Sequence, residues 1–133
     1  MRTLSDIRRV LIVDDNRDSA ELLALLLERA GHQTRVAHDG PEAIAVASLF
    51  CPNIAFLDIG LPGMDGYQLM SLLRVRPELS ECRFVAVTGY EQLSPSSDGA
   101  TFDAHLLKPI DLDVVVRLVN ELTASEPTKQ VSA

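Results

Sequence analysis

Five residues carry reactive or charged groups and each closes a short apolar run. Asp14 and Asp15 follow Val10-Leu-Ile-Val, Asp58 follows Ile54-Ala-Phe-Leu, Thr88 follows Phe84-Val-Ala-Val, and Lys108 follows His105-Leu-Leu. Taken singly, each has a plain structural use: the Asp pair as a helix N-cap, Asp58 and Thr88 as turn residues, Lys108 as a solvated cation. Gathered at one edge of a sheet they imply more. Three close carboxylates repel one another and tend to hold protons unless a cation neutralises them. With no Cys or His among them the donors are all oxygen, which selects a hard ion. An incompletely caged site that keeps several waters suits Mg²⁺ better than Ca²⁺. Mg²⁺ points in turn to phosphate chemistry. Lys108 adds a second positive charge for phosphoryl oxygens, Thr88 adds a hydroxyl donor, and a carboxylate can itself be the nucleophile, forming an aspartyl phosphate.

The elements that must position these residues follow from hydrophobic period and punctuation. Strands are expected at residues 10–13, 33–37, 54–57, 84–87 and 105–107, where short β-branched or apolar runs end at turn residues. Helices are expected at 18–30, with Gly31 as its C-terminal stop, at 41–50 with Pro41 in its first turn, at 67–74, and from Asp111 or its neighbour to Leu122. Strands alternating with helices at this spacing require crossovers, hence a mostly parallel five-stranded sheet with helices on both faces. Ligands of such sheets bind beyond the carboxyl ends of the strands, where the five residues fall. The alternation demands a helix between the last two strands, but Ser94-Pro-Ser-Ser-Asp-Gly99 occupies that place. A short or disordered helix is expected there.

The chain has 133 residues, 47% of them hydrophobic, enough for one domain with a real core. Its net charge of −7 disfavours direct contact with a nucleic-acid backbone. Cys51 and Cys82 show neither a disulfide framework nor zinc spacing, which suits a reducing cytoplasm. The N-terminus lacks a signal-peptide pattern, and the longest apolar run, residues 22–27, is too short to insert in a membrane. The stretch from Asp14 starts like an EF-hand loop, but Ser19 stands where Gly belongs and Leu25 where the bidentate Glu belongs. Dinucleotide, P-loop, serine hydrolase and zincin motifs are missing. Met64, Met70 and the leucines at 22, 23, 26 and 27 are expected in packing, the two cysteines as small hydrophobes, and Arg8 and Arg9 in solvent.

Four collinear pieces carry a family likeness: Val10-Leu-Ile-Val-Asp-Asp-Asn16, Phe56-Leu-Asp-Ile-Gly-Leu-Pro-Gly-Met-Asp-Gly66, Val85-Ala-Val-Thr-Gly89 and Leu107-Lys-Pro109. The chain resembles the receiver domain of two-component response regulators over roughly residues 8–122. That resemblance implies a doubly wound, flavodoxin-like sheet of order 2-1-3-4-5. It implies a receiver at residues 8–124, between flexible termini at 1–7 and 125–133. Carried over by residue, it makes Asp58 the phosphoacceptor and Asp14, Asp15, Asp58 and the backbone carbonyl of Gly60 the Mg²⁺ ligands. Thr88 and Lys108 would contact the phosphoryl group. The Lys108-Pro109 bond would be cis, and His105 falls where the family has its switch aromatic, acting with Thr88. The phosphoryl donor would be a sensor histidine kinase or a histidine phosphotransfer protein. The output would be a changed binding surface toward a partner the sequence does not name, on a monomer or a phosphorylation-dependent homodimer.

Such a chain catalyses only its own phosphorylation and dephosphorylation and is otherwise not an enzyme. Gly60 and Tyr90 occupy positions that tune phosphoryl lifetime in that family. The polar end of the chain resembles a stand-alone receiver or one taken from a hybrid kinase. Two alternatives stay open. One is a constitutive binding module whose distorted segment prevents switching. The other is a Mg²⁺-dependent phosphatase, disfavoured because Gly60 stands where that family has its second Asp.

Overall fold

The computed structural model describes residues 7–89 and 102–123. Five strands form one parallel sheet in the order β2-β1-β3-β4-β5. They are β1 (Arg9–Val13), β2 (Gln33–Ala37), β3 (Ile54–Asp58), β4 (Arg83–Thr88) and β5 (Ala104–Leu107). The four helices among the described residues are α1 (Arg17–Arg29), α2 (Gly40–Phe50), α3 (Gly66–Arg74) and α4 (Leu112–Thr123), with a 3-10 turn at Pro77–Leu79. The expected order and the helices on both faces are present. The helix expected to be short or disordered between β4 and β5 lies outside the described residues.

Strand alternation sorts the core into two layers. Val10, Ile12, Ile54, Phe56, Val85, Val87 and Leu106 point to the face covered by Ala20, Leu23, Ala24 and Leu27 of α1 and Val115 and Val119 of α4. Leu11, Val13, Ala55, Leu57, Phe84 and Ala86 point to the other face, covered by Ala43 and Ala47 of α2 and Leu69, Met70 and Leu73 of α3. Because β1 and β3 are buried on both faces, they consist of continuous apolar runs. Their polar residues are therefore confined to the strand ends.

Local chemistry starts each helix. Asn16 caps α1 by accepting from the Ser19 amide, and Asp39 caps α2 by accepting from the Glu42 amide. Asp65 and Gln68 form a reciprocal capping box at α3. The Asp pair is thus not the α1 cap; Asn16 is, and α1 begins one residue before the expected Asp18. Asp111 accepts from the amide of Asp113 and so caps α4, as expected.

Two expectations about packing are corrected. Leu22 is 57% exposed, because a helix in contact along one stripe buries only part of a continuous leucine run; Leu23 and Leu27 face the sheet. Arg8 and Arg9 are held rather than solvated. Arg9 donates through Nε to the carbonyls of Phe50 and Cys51 at the end of α2, and Arg8 through Nε to the Thr123 hydroxyl of α4. Arg9 thus satisfies carbonyls left open at a helix end, and Arg8 ties the start of the chain's first strand to the α4 side chain. Cys82 and Met70 are buried, and Met64 packs partly buried against the α2–α3 face.

Candidate functional site

The sheet order reverses at β1, which has β2 on one side and β3 on the other. Such a switch point leaves a crevice beyond the strand ends, because the connections leave in opposite directions. Asp14 and Asp15 leave β1 into it and Asp58 ends β3. One oxygen from each of these three carboxylates lies within 4.8 Å of the others. Asp14 and Asp58 are buried and Asp15 is exposed, so the cluster has a closed floor and a wet rim.

The side chains are held by local backbone donors. The Asn16 amide donates to Asp14 Oδ1 at 3.0 Å, and the Gly60 amide donates to Asp58 Oδ1 at 2.9 Å. From β5, Lys108 brings Nζ to 3.2 Å from Asp58 Oδ2 and 4.0 Å from Asp14 Oδ2. The backbone fixes that reach. The Lys108 amide donates to the Thr88 carbonyl at 2.7 Å, and the Lys108-Pro109 peptide is cis as expected. Burial pushes the Asp14 carboxyl above its ordinary range, and the Asp58 charge adds to the push. The Asn16 amide and Lys108 oppose it.

Thr88 ends β4 beside the cluster. It is 2% exposed and its Oγ1 has no hydrogen-bond partner among the described residues. A buried hydroxyl in that state lacks one of its bonds and is available to an incoming acceptor. His105 stands apart from the carboxylates on β5, exposed, with its ring 5.8 Å edge-on from Phe102; Phe102 is in turn 5.5 Å from Tyr67 of α3.

Gly66 packs against the Asp58 backbone, although the sequence analysis quoted it only as the end of a motif, without a role. A Cβ on Gly66 would lie 2.9 Å from the Asp58 carbonyl oxygen and 2.9 Å from Ile59 Cα, so only glycine lets α3 start this close to β3. The Gly66 amide also donates to the Ile59 carbonyl at 3.1 Å. Only the Gly-Met-Asp-Gly pattern hinted at this. Asn16 was likewise quoted in a motif without a role, yet its amide orients Asp14.

An all-oxygen donor set at this spacing fits a hard divalent ion such as Mg²⁺. The arrangement combines a buried carboxylate, an adjacent ammonium group and an unpartnered hydroxyl, which together can receive and hold an anionic group. No helix among the described residues is long and apolar enough to cross a membrane.

Comparison with known proteins agrees with this geometry. The family model for the response regulator receiver domain matches residues 10–120. Protein PilH of Pseudomonas aeruginosa is 31% identical over 118 residues, covering 87% of this chain and 98% of its own. The sporulation initiation phosphotransferase F of Bacillus subtilis is 30% identical over 109 residues, covering 80% of this chain and 86% of its own. A crystal structure of a response regulator from Chloroflexus aurantiacus superposes with a TM-score of 0.79 at 32% identity, covering 88% of this chain and 98% of that one. A CheY-like receiver domain from Methylobacillus flagellatus superposes with a TM-score of 0.79 at 30% identity, covering 87% and 98%. With a family match over residues 10–120, relatives of 30% identity or more covered over most of their length, and the same fold in the solved receiver structures, this chain belongs to the response regulator receiver domains of two-component systems.

Proposed function

We propose that the protein is a phosphoacceptor switch in which Asp58 takes a phosphoryl group from a phosphohistidine on a sensor kinase or phosphotransfer protein. The observation that carries this reading is the 3.2 Å approach of Lys108 Nζ to Asp58 Oδ2 inside a three-carboxylate pocket. The name of the Bacillus subtilis relative, a phosphotransferase, supports phosphoryl transfer.

Asp58 is the nucleophile, and the Gly60 amide at Oδ1 aims its carboxylate. Asp14, Asp15, Asp58 and the Gly60 carbonyl would hold Mg²⁺, which when bound would supply positive charge against the phosphoryl oxygens. Lys108 exchanges its pairing with the Asp58 carboxylate for pairing with the new phosphoryl group, and the Thr88 hydroxyl gains the acceptor it lacks. The pull on Thr88 and the movement of His105 bias a two-state surface toward an output partner. The domain is residues 8–124, it works in the cytoplasm, and it acts as a monomer or a phosphorylation-dependent homodimer. Receiver domains are generally signalling modules rather than enzymes, so its catalysis is confined to forming and losing its own aspartyl phosphate.

The test is intact-mass spectrometry with phosphoramidate, a small donor whose P–N bond matches that of phosphohistidine. One added phosphoryl group is expected on the native chain with Mg²⁺, and none with a chelator or on Asp58→Ala. An unmodified native chain under all conditions overturns the proposal.

A further inference from the structure

His105, Phe102 and Tyr67 form a row of three rings. Phe102 lies 5.8 Å from His105 at an interplanar angle of 65° and 5.5 Å from Tyr67 at 70°, so both contacts are edge-on. Phe102 is buried and Tyr67 packs half-buried against the same core layer, whereas His105 is exposed. The inner end of the row is anchored at the strand that carries the nucleophile. Tyr67 directly follows Gly66, where α3 starts with no room for a side chain against the Asp58 carbonyl and Ile59. The backbone beside Phe102 is fixed as well: the Asp103 amide donates to the Phe84 carbonyl at 2.8 Å, and the Asp103 carboxylate accepts from the Phe84 amide at 2.8 Å. His105, at the solvent end, is the ring with room to turn.

The strand register places His105 beside Ala86 and Leu107 beside Thr88. Side chains two apart on a strand share a face, so His105 stands on the side of the sheet that carries Ala86 and Thr88. Its neighbour on β4 is only a methyl group, which offers little hindrance to an imidazole turned toward Thr88. Staggered side-chain wells lie about 120° apart, so a ring that leaves its present well loses its edge-on geometry with Phe102. The contact therefore belongs to the outward state and stabilises it.

We propose that Phe102 is a positioning residue that holds the His105 ring outward, and that Tyr67 holds Phe102 in place. This rests on the phosphoacceptor reading, in which Thr88 and His105 move on phosphorylation, and it adds the group that resists the movement. An aromatic pair of this geometry is worth a factor of about two to ten in an equilibrium beyond its packing. With the inward state as the minor one, removing the pair raises its share by that factor, and the apparent affinity for a phosphoryl mimic rises with it. Phe102 thus sets how far the unphosphorylated protein is already switched.

The probe is beryllofluoride with Mg²⁺, a tetrahedral phosphoryl mimic that binds to a carboxylate oxygen, titrated by calorimetry. Phe102→Leu keeps an apolar side chain in the core and removes the ring. It is expected to bind the probe roughly two- to tenfold more tightly than the native protein. The same substitution in a His105→Ala protein is expected to leave the affinity where His105→Ala alone puts it. Loss of packing by itself would act equally in both backgrounds, so the comparison separates the two effects. On the native protein, NMR contacts between the ring protons of His105 and Phe102 are expected in the free state and lost in the beryllofluoride complex.

Unchanged or weaker binding by Phe102→Leu overturns the inference, and so does an equal gain with and without the His105 ring. Ring contacts that persist in the beryllofluoride complex of the native protein overturn it whether or not the variants fold. A native chain that binds no beryllofluoride is a different result, because it removes the phosphoacceptor reading along with this one.

Discussion

Replacing Gly66 with Ala tests how tightly the start of α3 is packed against the strand that carries Asp58. The new Cβ would sit 2.9 Å from both the Asp58 carbonyl oxygen and Ile59 Cα, and 3.1 Å from Ile59 Cδ1. Two of these neighbours are backbone and cannot rotate away. Nor can α3 retreat freely, since Leu69, Met70 and Leu73 are buried in the core and the Asp65–Gln68 capping box fixes its first turn. Forcing a methyl group into such a contact costs about 1–3 kcal/mol. The better helix propensity of Ala over Gly returns at most about 1 kcal/mol, and less in a first turn.

The net loss is thus about 1–2 kcal/mol, a fall of roughly 4–8 °C in melting temperature for a domain of this size. Thermal unfolding by circular dichroism reads the loss. The displaced Asp58 backbone is expected to slow phosphorylation by phosphoramidate as well. Gly63→Ala is the control. Gly63 has φ +82° with open space around its missing Cβ, so alanine there costs about 1–2 kcal/mol through backbone strain alone. It should lower the melting temperature and leave phosphorylation nearly intact. A Gly66→Ala protein that melts at or above the native temperature would refute the packing argument. Equal slowing of phosphorylation by both variants would refute the link to Asp58.

Asp14→Asn removes a charge whose burial holds its carboxyl above the ordinary 3.8. An acid raised on folding binds more protons folded than unfolded above that value, so stability falls as pH rises through the window just above 3.8 and stays lower beyond it. The variant should lose this component of the pH dependence, melt a few degrees higher than the native protein in chelator at neutral pH, and gain little from added Mg²⁺; lower melting in chelator contradicts this. Asp103 accepts from the Phe84 amide at 2.8 Å and faces Arg74 at 3.6 Å and Arg83 at 3.8 Å, so it pins the entry to β5. Asp103→Ala is expected to lose about 1–3 kcal/mol in urea denaturation and Asp103→Asn clearly less, since the amide keeps an acceptor for Phe84. Burial pushes the Cys82 thiol up to about 12, whereas Cys51 is half-buried. Alkylation at pH 8 followed by peptide mass mapping should label Cys51 well before Cys82, and the reverse order would count against the fold around β4.

Much of the fold was legible because its cause is local. Strands β1 and β3 are buried on both faces and so appear as unbroken apolar runs, and α1 shows itself through its helix formers and the glycine that follows. Parallel connections force reactive residues to the strand ends, which is why Asp14, Asp15, Asp58, Thr88 and Lys108 could be picked out before any coordinates. Element ends were less legible. The start of α1 was placed at Asp18 because Asp and Asn cap equally well, and only the hydrogen bond from the Ser19 amide to Asn16 decides between them.

What the sequence determined by itself, then, is the strands and α-helices found among the described residues, to within a residue or two, and the reactive residues that close the strands, since local hydrophobic period and turn residues mark where each element stops. The residues alone implied a parallel sheet, while its order came from the family resemblance. Tertiary structure decided the rest. The 3.2 Å pairing of Lys108 with Asp58 spans 50 positions and depends on β4 lying between β3 and β5. The need for glycine at 66 arises from the approach of α3 to the Asp58 backbone, and the exposure of Leu22 beside buried Leu23 from the stripe of α1 that meets the sheet. Such distances are set by strand register and helix packing, and no neighbouring residue along the chain encodes them.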